Sequence, residues 1–396
     1  MSNQFPSSPR IQKLQNDFEA GQASALDIFW QEVREQGTPL VEEVKGIDQH
    51  VLATFLWQAE RDTMTVFIFG GMAQPDQMTK LPNTNLWFKS YHLPRDACFT
   101  YELGPSKQMT PSTTQQWDAD LADWQPDPLN PRSHTYPHDE EGAFYGYTAS
   151  LVELAHAPRQ LWAKTRREVA SGNVQFHRFQ SKLLQNERRL WVYTPPTIFV
   201  TSEPYGLLLL FDGFIYNHVI PTSTILDNLL SQKRIHPTVA VMVDSPDRIG
   251  ELSANPRFVD FLIEELIPWV RERFPVTRDP LRTIIGGSSA GGLAATYAAV
   301  ERPDIFRNVI SQSGAFWLGN QEQPDWFVEK VATLPKLPLR LYLDVGIYEP
   351  QNLALNRKMR DILDEKGYDF HYVEYSAAHE PLSWQGGLPE ALLTLM

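Results

Sequence analysis

The fold is decided by the stretch Thr283-Ile284-Ile285-Gly286-Gly287-Ser288-Ser289-Ala290-Gly291-Gly292, which continues into an alanine-rich run over residues 293–300. An apolar strand, a glycine-rich turn and a helix follow one another, and the turn satisfies G-x-S-x-G with Ser289 at its centre. The chain bends sharply in such a nucleophile elbow, so the residues two before and two after the serine must be small. The pattern predicts that Ser289 projects from the carboxyl edge of a sheet. It also predicts that the N–H of Ala290 points toward a developing oxyanion.

Two other interpretations of this stretch are open. The turn could be a glycine-rich connection that carries only surface serines, but the strand before it and the helix after it favour the elbow. Ser288 could be the central serine instead, but the pattern would then require glycine at position 290, where the sequence has alanine.

Strand-like runs alternate with amphipathic helices on both sides of the elbow. The apolar runs cover residues 207–211, 238–243, 282–285, 308–311, 339–345 and 370–375. Apolar strands that alternate with helices predict a mostly parallel sheet covered on both faces. Together with the elbow, this predicts an α/β-hydrolase domain over residues 166–396, which opens with two further strand-like runs at 174–184 and 189–194.

The N-terminal part has a different pattern. Residues 11–36 have helical spacing, with a possible break at Gly21, and four short segments rich in Val, Phe, Tyr and Trp follow between residues 51 and 103. Short segments separated by turn-forming residues predict a small antiparallel β-sandwich. A Pro- and Asp-rich loop over 105–142 follows, so we assign residues 1–165 to an N-terminal domain.

Composition excludes several classes of protein. The chain has 396 residues, a formal net charge of −13 and one cysteine, Cys98. An acidic chain is a poor nucleic-acid binder, and one cysteine allows neither an internal disulfide framework nor a thiolate metal cluster. No secretory signal and no apolar run of membrane-spanning length is present. We therefore expect a reduced, cytoplasmic protein with no membrane or nucleic-acid partner, no cofactor and no metal site.

A serine nucleophile needs a base, and in this fold the chain order is serine, acid, histidine. The histidines after Ser289 are His371 and His379. His371 lies inside a predicted strand, whereas His379 lies in the loop beyond it, so His379 is the expected base. The orienting acid belongs in the loop after strand 339–345, which favours Glu349, with Asp344 as the alternative.

A second oxyanion donor should come from the loop after strand 207–211. The N–H of Gly213 or Phe214 would face the pocket, because glycine permits a close approach of the backbone. A tight turn that merely ends the strand is an equally good interpretation of Gly213 alone.

Longer stretches resemble the enterochelin (enterobactin) esterase family, from about residue 50 to the C-terminus. In the catalytic half the likeness is carried by Leu209-Leu210-Phe211-Asp212-Gly213, Arg248-Ile249-Gly250-Glu251-Leu252, Ser311-Gln312-Ser313-Gly314, Gly346-Ile347-Tyr348-Glu349-Pro350 and Trp384-Gln385-Gly386-Gly387-Leu388. In the N-terminal half it is carried by Phe69-Gly70-Gly71, Met78-Thr79-Lys80-Leu81-Pro82 and Asp127-Pro128-Leu129-Asn130-Pro131.

The resemblance implies hydrolysis of the serine esters of a catecholate trilactone siderophore, with iron carried in the substrate. It also implies that Arg248 and residues near the site, among them Glu251 and Trp384, hold the anionic substrate; an Arg248–Glu251 salt bridge is the structural alternative. The sequence departs from the family's more usual Gly-Gly-His-Asp-like tract, since it has Ala377-Ala378-His379-Glu380.

Two other functions are open. The first is an esterase of the same fold that acts on feruloyl, acetyl or other aryl and acyl esters. The second is a non-catalytic binding protein on the same scaffold, against which the Ser289 and His379 pair argues. The oligomeric state is left open.

Overall fold

The structure, a computed structural model, describes residues 8–71, 75–107, 123–142, 144–199 and 203–396. These residues divide into two compact units. The first comprises the described residues of Met1–His138, with Tyr145–Pro158 and Ser376–Glu380, and the second comprises Asp139–Phe144, Arg159–Tyr375 and Pro381–Met396. Each unit therefore includes a short segment that the sequence analysis had placed in the other domain.

The first unit contains two helices and two antiparallel sheets. Its helices and strands are α1 (Pro9–Glu19), α2 (Ala25–Gln36), β1 (Leu40–Glu43), β2 (His50–Gln58), β3 (Thr65–Gly70), β4 (Asp76–Gln77), β5 (Thr79–Lys80), β6 (Leu86–Pro94), β7 (Cys98–Ser106), β8 (Ser133–Tyr136) and β9 (Tyr147–Glu153). The sheet orders are β1-β2-β6-β5 and β4-β3-β7-β9-β8.

Buried aromatic side chains join the two sheets. Phe55 of β2 and Tyr101 of β7 meet with ring centroids 4.7 Å apart. Helices α1 and α2 are separated at Gly21, whose φ of 84° suits glycine. Their apolar residues Ile11, Leu14, Phe29, Trp30 and Val33 cluster with Leu40, Leu56, Leu81 and Leu86.

The second unit is an eight-stranded sheet with helices between its strands. Its elements are β10 (Asn173–Ser181), β11 (Asn186–Thr194), β12 (Gly206–Phe211), α3 (Thr222–Ser231), β13 (Thr238–Val243), α4 (Arg248–Leu252), α5 (Pro256–Phe261), α6 (Ile267–Arg273), β14 (Thr283–Ser288), α7 (Ala290–Glu301), β15 (Asn308–Gln312), α8 (Trp326–Thr333), β16 (Arg340–Gly346), α9 (Pro350–Glu365), β17 (Asp369–Tyr375) and α10 (Pro381–Leu395). A π-helical turn, Ile215–Val219, follows β12, and another, Leu262–Leu266, joins α5 to α6.

The strand order is β10-β11-β13-β12-β14-β15-β16-β17, and the strands from β13 to β17 run parallel. Strands β12 and β13 are buried along their whole length, which explains their continuous apolar sequence. The predicted α/β-hydrolase fold is confirmed. Among the helices of the described residues, none has the length and apolar content to span a bilayer.

Candidate active site

The elbow places Ser289 alone between β14 and α7. Its backbone has φ 57° and ψ −120°, a strained conformation for a residue with a side chain. Three hydrogen bonds hold it: the Ser289 N–H donates to the carbonyl of Gln312 at 2.8 Å, and the Ser289 carbonyl accepts from Leu293 at 3.2 Å and Ala315 at 3.0 Å. The strand β15 that follows the elbow therefore fixes the serine's backbone.

Space limits the side chains that the glycine positions of the elbow can carry. A Cβ atom at Gly287 would lie 2.8 Å from the carbonyl carbon of Gly291, closer than backbone atoms allow. A Cβ at Gly291 would lie 3.3 Å from the Cβ of Phe211. Glycine is therefore required at position 287, whereas a Cβ at position 291 would fit only if Phe211 moved by a few tenths of an ångström.

The positions of Ala290 and Gly213 are compatible with the predicted oxyanion role, which stays a prediction. Ala290 is the first residue of α7, where an N–H has no intrahelical acceptor. Gly213 lies where a Cβ would come within 2.8 Å of the Met242 carbonyl oxygen, so only glycine fits. The N–H of Phe214, however, donates to Asp244 Oδ1 at 2.9 Å. Because this donor is already used, Phe214 does not fit the role expected from the sequence.

Glu349 is a buried carboxylate surrounded by donors at the end of β16. Its Oε1 accepts from the N–H of Gly346 at 2.9 Å and from Ser313 Oγ at 2.7 Å, and its Oε2 accepts from Asn352 Nδ2 at 2.9 Å. Ser289 and Glu349 contact the two sides of the same turn after β15, since the Ser289 carbonyl binds Ala315 and Glu349 binds Ser313.

Asp344, the alternative acid, lies inside the sheet. It is fully buried, and its Oδ2 accepts from Gln312 Nε2 at 2.9 Å. Within the described residues its Oδ1 has no hydrogen-bond partner. Burial raises the pKa of Asp344 to about 8, because the charged form loses its water, and the nearby Glu349 adds to the shift. A carboxyl that is neutral near pH 7 is a poor partner for an imidazolium.

The two candidate histidines lie on different elements. His379 is exposed and belongs to the segment Ser376–Glu380, between β17 and α10, which forms part of the first unit. His371 is on β17, where its Nε2 lies 2.9 Å from Glu390 Oε1 and its ring stacks on Tyr342. His371 thus has the sheet-face position expected of it.

Arg248 is held by a different residue from the one considered in the sequence analysis. Its Nε and Nη2 donate to the two carboxylate oxygens of Asp212 at 2.7 and 2.8 Å, and its side chain is 41% exposed. Asp212 Oδ2 lies 3.4 Å from the position that a Cβ of Gly291 would occupy. The guanidinium is therefore tied to the strand beside the elbow.

Glu251 has a structural position. It is 4% exposed, and its oxygens accept from Arg188 Nη1 and Nη2 at 3.0 and 2.9 Å and from Asn186 Nδ2 at 2.8 Å. The alternative Arg248–Glu251 pair is therefore wrong. The expected contact of Glu251 with substrate does not fit either, because both of its oxygens serve a buried ion pair.

Trp384 is linked to Glu349 by hydrogen bonds through Ser313. The side chain is 7% exposed, and its indole Nε1 donates to Ser313 Oγ at 3.0 Å while Ser313 donates to Glu349. The carbonyl of Trp384 accepts from Gln312 Nε2 at 2.9 Å. These bonds place Trp384 beside the buried Glu349, and its expected contact with substrate stays a prediction.

Gln312 and Ser313 are the functional residues that sequence reasoning missed. Gln312 binds the Ser289 backbone, Asp344, Trp384 and the hydroxyl of Tyr216, so it joins the elbow to α10. The signal available was their position at the carboxyl end of the strand beside β14. Among the described residues, no group of three or more His, Cys, Asp or Glu side chains is arranged to hold a metal ion.

A strained serine between a buried strand and a helix, on a mostly parallel sheet with a buried acid after a later strand, defines a serine hydrolase of the α/β-hydrolase type. Family comparison narrows this class. The model described as putative esterase matches residues 181–395, and the model described as enterochelin esterase, N-terminal, matches residues 52–163. The chain belongs to the enterochelin esterase family.

Individual relatives agree with this assignment. The chain is 30% identical over 359 residues to the iron(III) enterobactin esterase of Yersinia enterocolitica, covering 82% of this chain and 94% of the relative. It superposes on the crystal structure of the enterobactin esterase from Shigella flexneri in the presence of enterobactin with a TM-score of 0.73, 25% identity and coverage of 92% and 97%. A ferulic acid esterase from Anaeromyces mucronatus shares the fold, with a TM-score of 0.50, 19% identity and coverage of 60% and 96%.

Proposed function

We propose that this protein hydrolyses the serine ester bonds of a catecholate trilactone siderophore of the enterobactin class and so releases the bound iron. The observation that carries the proposal is the match of residues 52–163 to the enterochelin esterase N-terminal family, together with the match of residues 181–395 to the putative esterase family. The nucleophile elbow alone is shared by many esterases, whereas the N-terminal match is specific to this group. Iron enters as part of the substrate and is not a cofactor of the protein.

Ser289, His379 and Glu349 are the proposed catalytic residues. Ser289 Oγ attacks the ester carbonyl while His379 takes its proton; the ester C–O bond then breaks, and His379 gives the proton to the departing oxygen, which leaves as the serine hydroxyl of the substrate. The N–H groups of Ala290 and Gly213 stabilise the oxyanion, and a water molecule hydrolyses the acyl-enzyme. Chain order and the position of His379 after β17 support this assignment.

Glu349 is favoured over Asp344 as the acid that orients His379. Glu349 follows β16 in the loop, at the level where β16 and β17 end, since the Ile347 N–H donates to the Tyr375 carbonyl at 2.9 Å. Asp344 lies deeper in the sheet, and its raised pKa keeps it from being a full negative charge near pH 7. An acid that stabilises an imidazolium must be charged.

Arg248 is the proposed contact for the anionic catecholates. Two of its nitrogens hold Asp212, and the exposed part of the guanidinium retains N–H donors for an oxygen ligand. The bidentate pair with Asp212 fixes its orientation beside the elbow. We expect Arg248 to lower KM for an anionic substrate.

A feruloyl or other aryl ester is the second candidate substrate. The aryl esterase likeness concerns the fold, at 19% identity, and covers 60% of this chain. It leaves much of the chain unexplained, whereas the siderophore esterase likeness accounts for both halves. We therefore favour the siderophore, and we infer that the reaction takes place in the cytoplasm, where released iron is used. The net charge of −13 argues against a nucleic-acid partner.

Product analysis tests the proposal. Ferric and iron-free cyclic trilactone, a feruloyl ester and a short-chain aryl ester are each incubated with the wild type, Ser289→Ala and the neighbour control Ser288→Ala. We expect ring-opened trilactone and its monomer from the wild type and Ser288→Ala, and none from Ser289→Ala. Faster turnover of the feruloyl ester than of either trilactone would reject the siderophore assignment. Wild-type turnover by Ser289→Ala would reject the mechanism.

A further inference from the structure

The loop that carries His379 is fastened at both ends to the first unit. At its start, Ser376 Oγ donates to Asp96 Oδ1 at 2.7 Å. At its end, the carboxylate of Glu380 accepts from the Thr100 N–H at 3.2 and 3.1 Å, and its Oε2 accepts from Thr100 Oγ1 at 2.6 Å. We call these two attachments the histidine-loop anchor.

The Glu380 end of the anchor is built into a sheet. Thr100 lies on β7, and Tyr136 of β8, whose hydroxyl donates to Glu380 Oε2 at 3.4 Å, lies on the same five-stranded sheet. Glu380 is 8% exposed, and Thr100 and Tyr136 are buried too. A buried carboxylate that accepts several hydrogen bonds from a rigid sheet has little freedom to move, because each displacement leaves a donor unpaired.

The middle of the loop is packed as well. Ala377 and Ala378 are buried, whereas His379 is exposed. His379, the proposed base, is therefore exposed, while Ser376 at the start of the segment is half-buried. The backbone of His379 is directly joined to Glu380, the residue that accepts the hydrogen bonds from Thr100.

We propose that the histidine-loop anchor positions the catalytic base, because Asp96 and Thr100 hold the loop on both sides of His379. This inference rests on the proposed function, in which His379 is the base. Glu380, Thr100 and Asp96 are positioning residues, since they act through the backbone of the loop.

The main test removes one hydroxyl from the anchor. Thr100→Val keeps the β-branched shape and the backbone N–H but loses the bond from Oγ1 to Glu380. We expect kcat to fall by about 10- to 100-fold with KM within about twofold, because a small displacement of a catalytic group has a large effect on the rate. Thr100→Ser keeps the hydroxyl and should restore kcat to within about threefold of the wild type.

The matched control is Thr54→Val. Thr54 is a buried threonine of the same unit whose Oγ1 bonds Ser90 Oγ at 2.8 Å, away from the loop. Like Thr100→Val, the Thr54→Val variant loses one buried hydroxyl. A general loss of stability would therefore affect Thr54→Val and Thr100→Val alike. We expect Thr54→Val to keep wild-type kcat in the full-length chain at a temperature where circular dichroism shows both variants folded.

A second variant keeps the inference testable if Thr100→Val does not fold. Asp96→Ala removes the exposed end of the anchor and should lower kcat by about threefold or more with unchanged KM. Wild-type kcat in both Asp96→Ala and Glu380→Gln, with His379→Ala inactive, would overturn the anchor and leave the proposed function standing. Full activity of His379→Ala would overturn both.

Discussion

Replacing Asp344 by Asn tests which acid serves the active site. Asp344 is fully buried, with one oxygen bonded to Gln312 and a pKa raised to about 8 by burial. Asn has the same shape and keeps an oxygen for Gln312, but it cannot ionise. The substitution therefore removes the titration of this site and little else.

The expected effect on stability follows from linkage. The pKa of Asp344 rises from 3.8 to about 8, a shift of about four units, and each unit corresponds to about 1.4 kcal/mol. The unfolded chain releases this proton near pH 4, whereas the folded chain keeps it until about pH 8. The folded state therefore binds more protons between these values, and stability falls as the pH rises through this window. The total loss attributable to Asp344 is about 6 kcal/mol, and the Asn variant should not show it.

The assay is urea unfolding of the wild type and Asp344→Asn at several values between pH 5 and pH 8, with kcat measured at pH 7. The free energy of unfolding of the variant, minus that of the wild type, should increase by about 1.4 kcal/mol per pH unit between pH 5 and 7. The variant should keep kcat within a few-fold of the wild type. A pH-independent difference would show that Asp344 is charged in the folded protein. A loss of kcat as large as that of Glu349→Gln would make Asp344 the orienting acid and refute the assignment.

The other predictions concern Glu349, Glu251 and Arg248. Glu349→Gln should lower kcat by roughly 10²- to 10⁴-fold with little change in KM, because His379 loses the charge that orients it; unchanged steady-state kcat would remove Glu349 from the mechanism. Glu251→Gln should lower the free energy of unfolding by about 3–5 kcal/mol, since it leaves Arg188 buried without its partner charge, and should leave kcat unaltered. Full stability with a raised KM would instead return Glu251 to the substrate site. Arg248→Gln should raise KM about 10-fold for the ferric trilactone and much less for a neutral aryl ester; equal effects on the two substrates would argue against a catecholate contact.

Local pattern was enough to predict the catalytic scaffold. The elbow depends on residues within a few positions of Ser289. A side chain at Gly287 would collide with the backbone of Gly291, so the need for glycine is visible in the local sequence. Continuous apolar runs predicted strands such as Gly206–Phe211 and Thr238–Val243 almost to the residue, because both are buried on both faces.

The roles that local pattern did not give depend on partners distant in the chain. Glu251 is paired with Arg188, 63 positions away, and the Phe214 N–H is used by Asp244, 30 positions away. The indole of Trp384 binds Ser313, 71 positions away. Such pairings are set by the register of the sheet and the packing of helices, neither of which one sequence specifies.

The sequence also did not predict that each unit includes a short segment from the other part of the chain. Asp139–Phe144 belongs to the second unit, where Asp139 accepts two hydrogen bonds from Arg189 at 2.6 Å each. Ser376–Glu380 belongs to the first unit through Asp96 and Thr100. Neither segment has a composition that separates it from its chain neighbours.

In the proposed mechanism, the hydroxyl of Ser289 forms a covalent bond to the acyl group of the substrate. Mass spectrometry of protein quenched with acid during turnover of the iron-free trilactone measures this directly. We expect an adduct of opened trilactone, or of its 2,3-dihydroxybenzoylserine unit, on the peptide that contains Ser289, and no adduct in Ser289→Ala. An adduct on another residue, or full turnover by the protein without Ser289, would contradict the proposed mechanism.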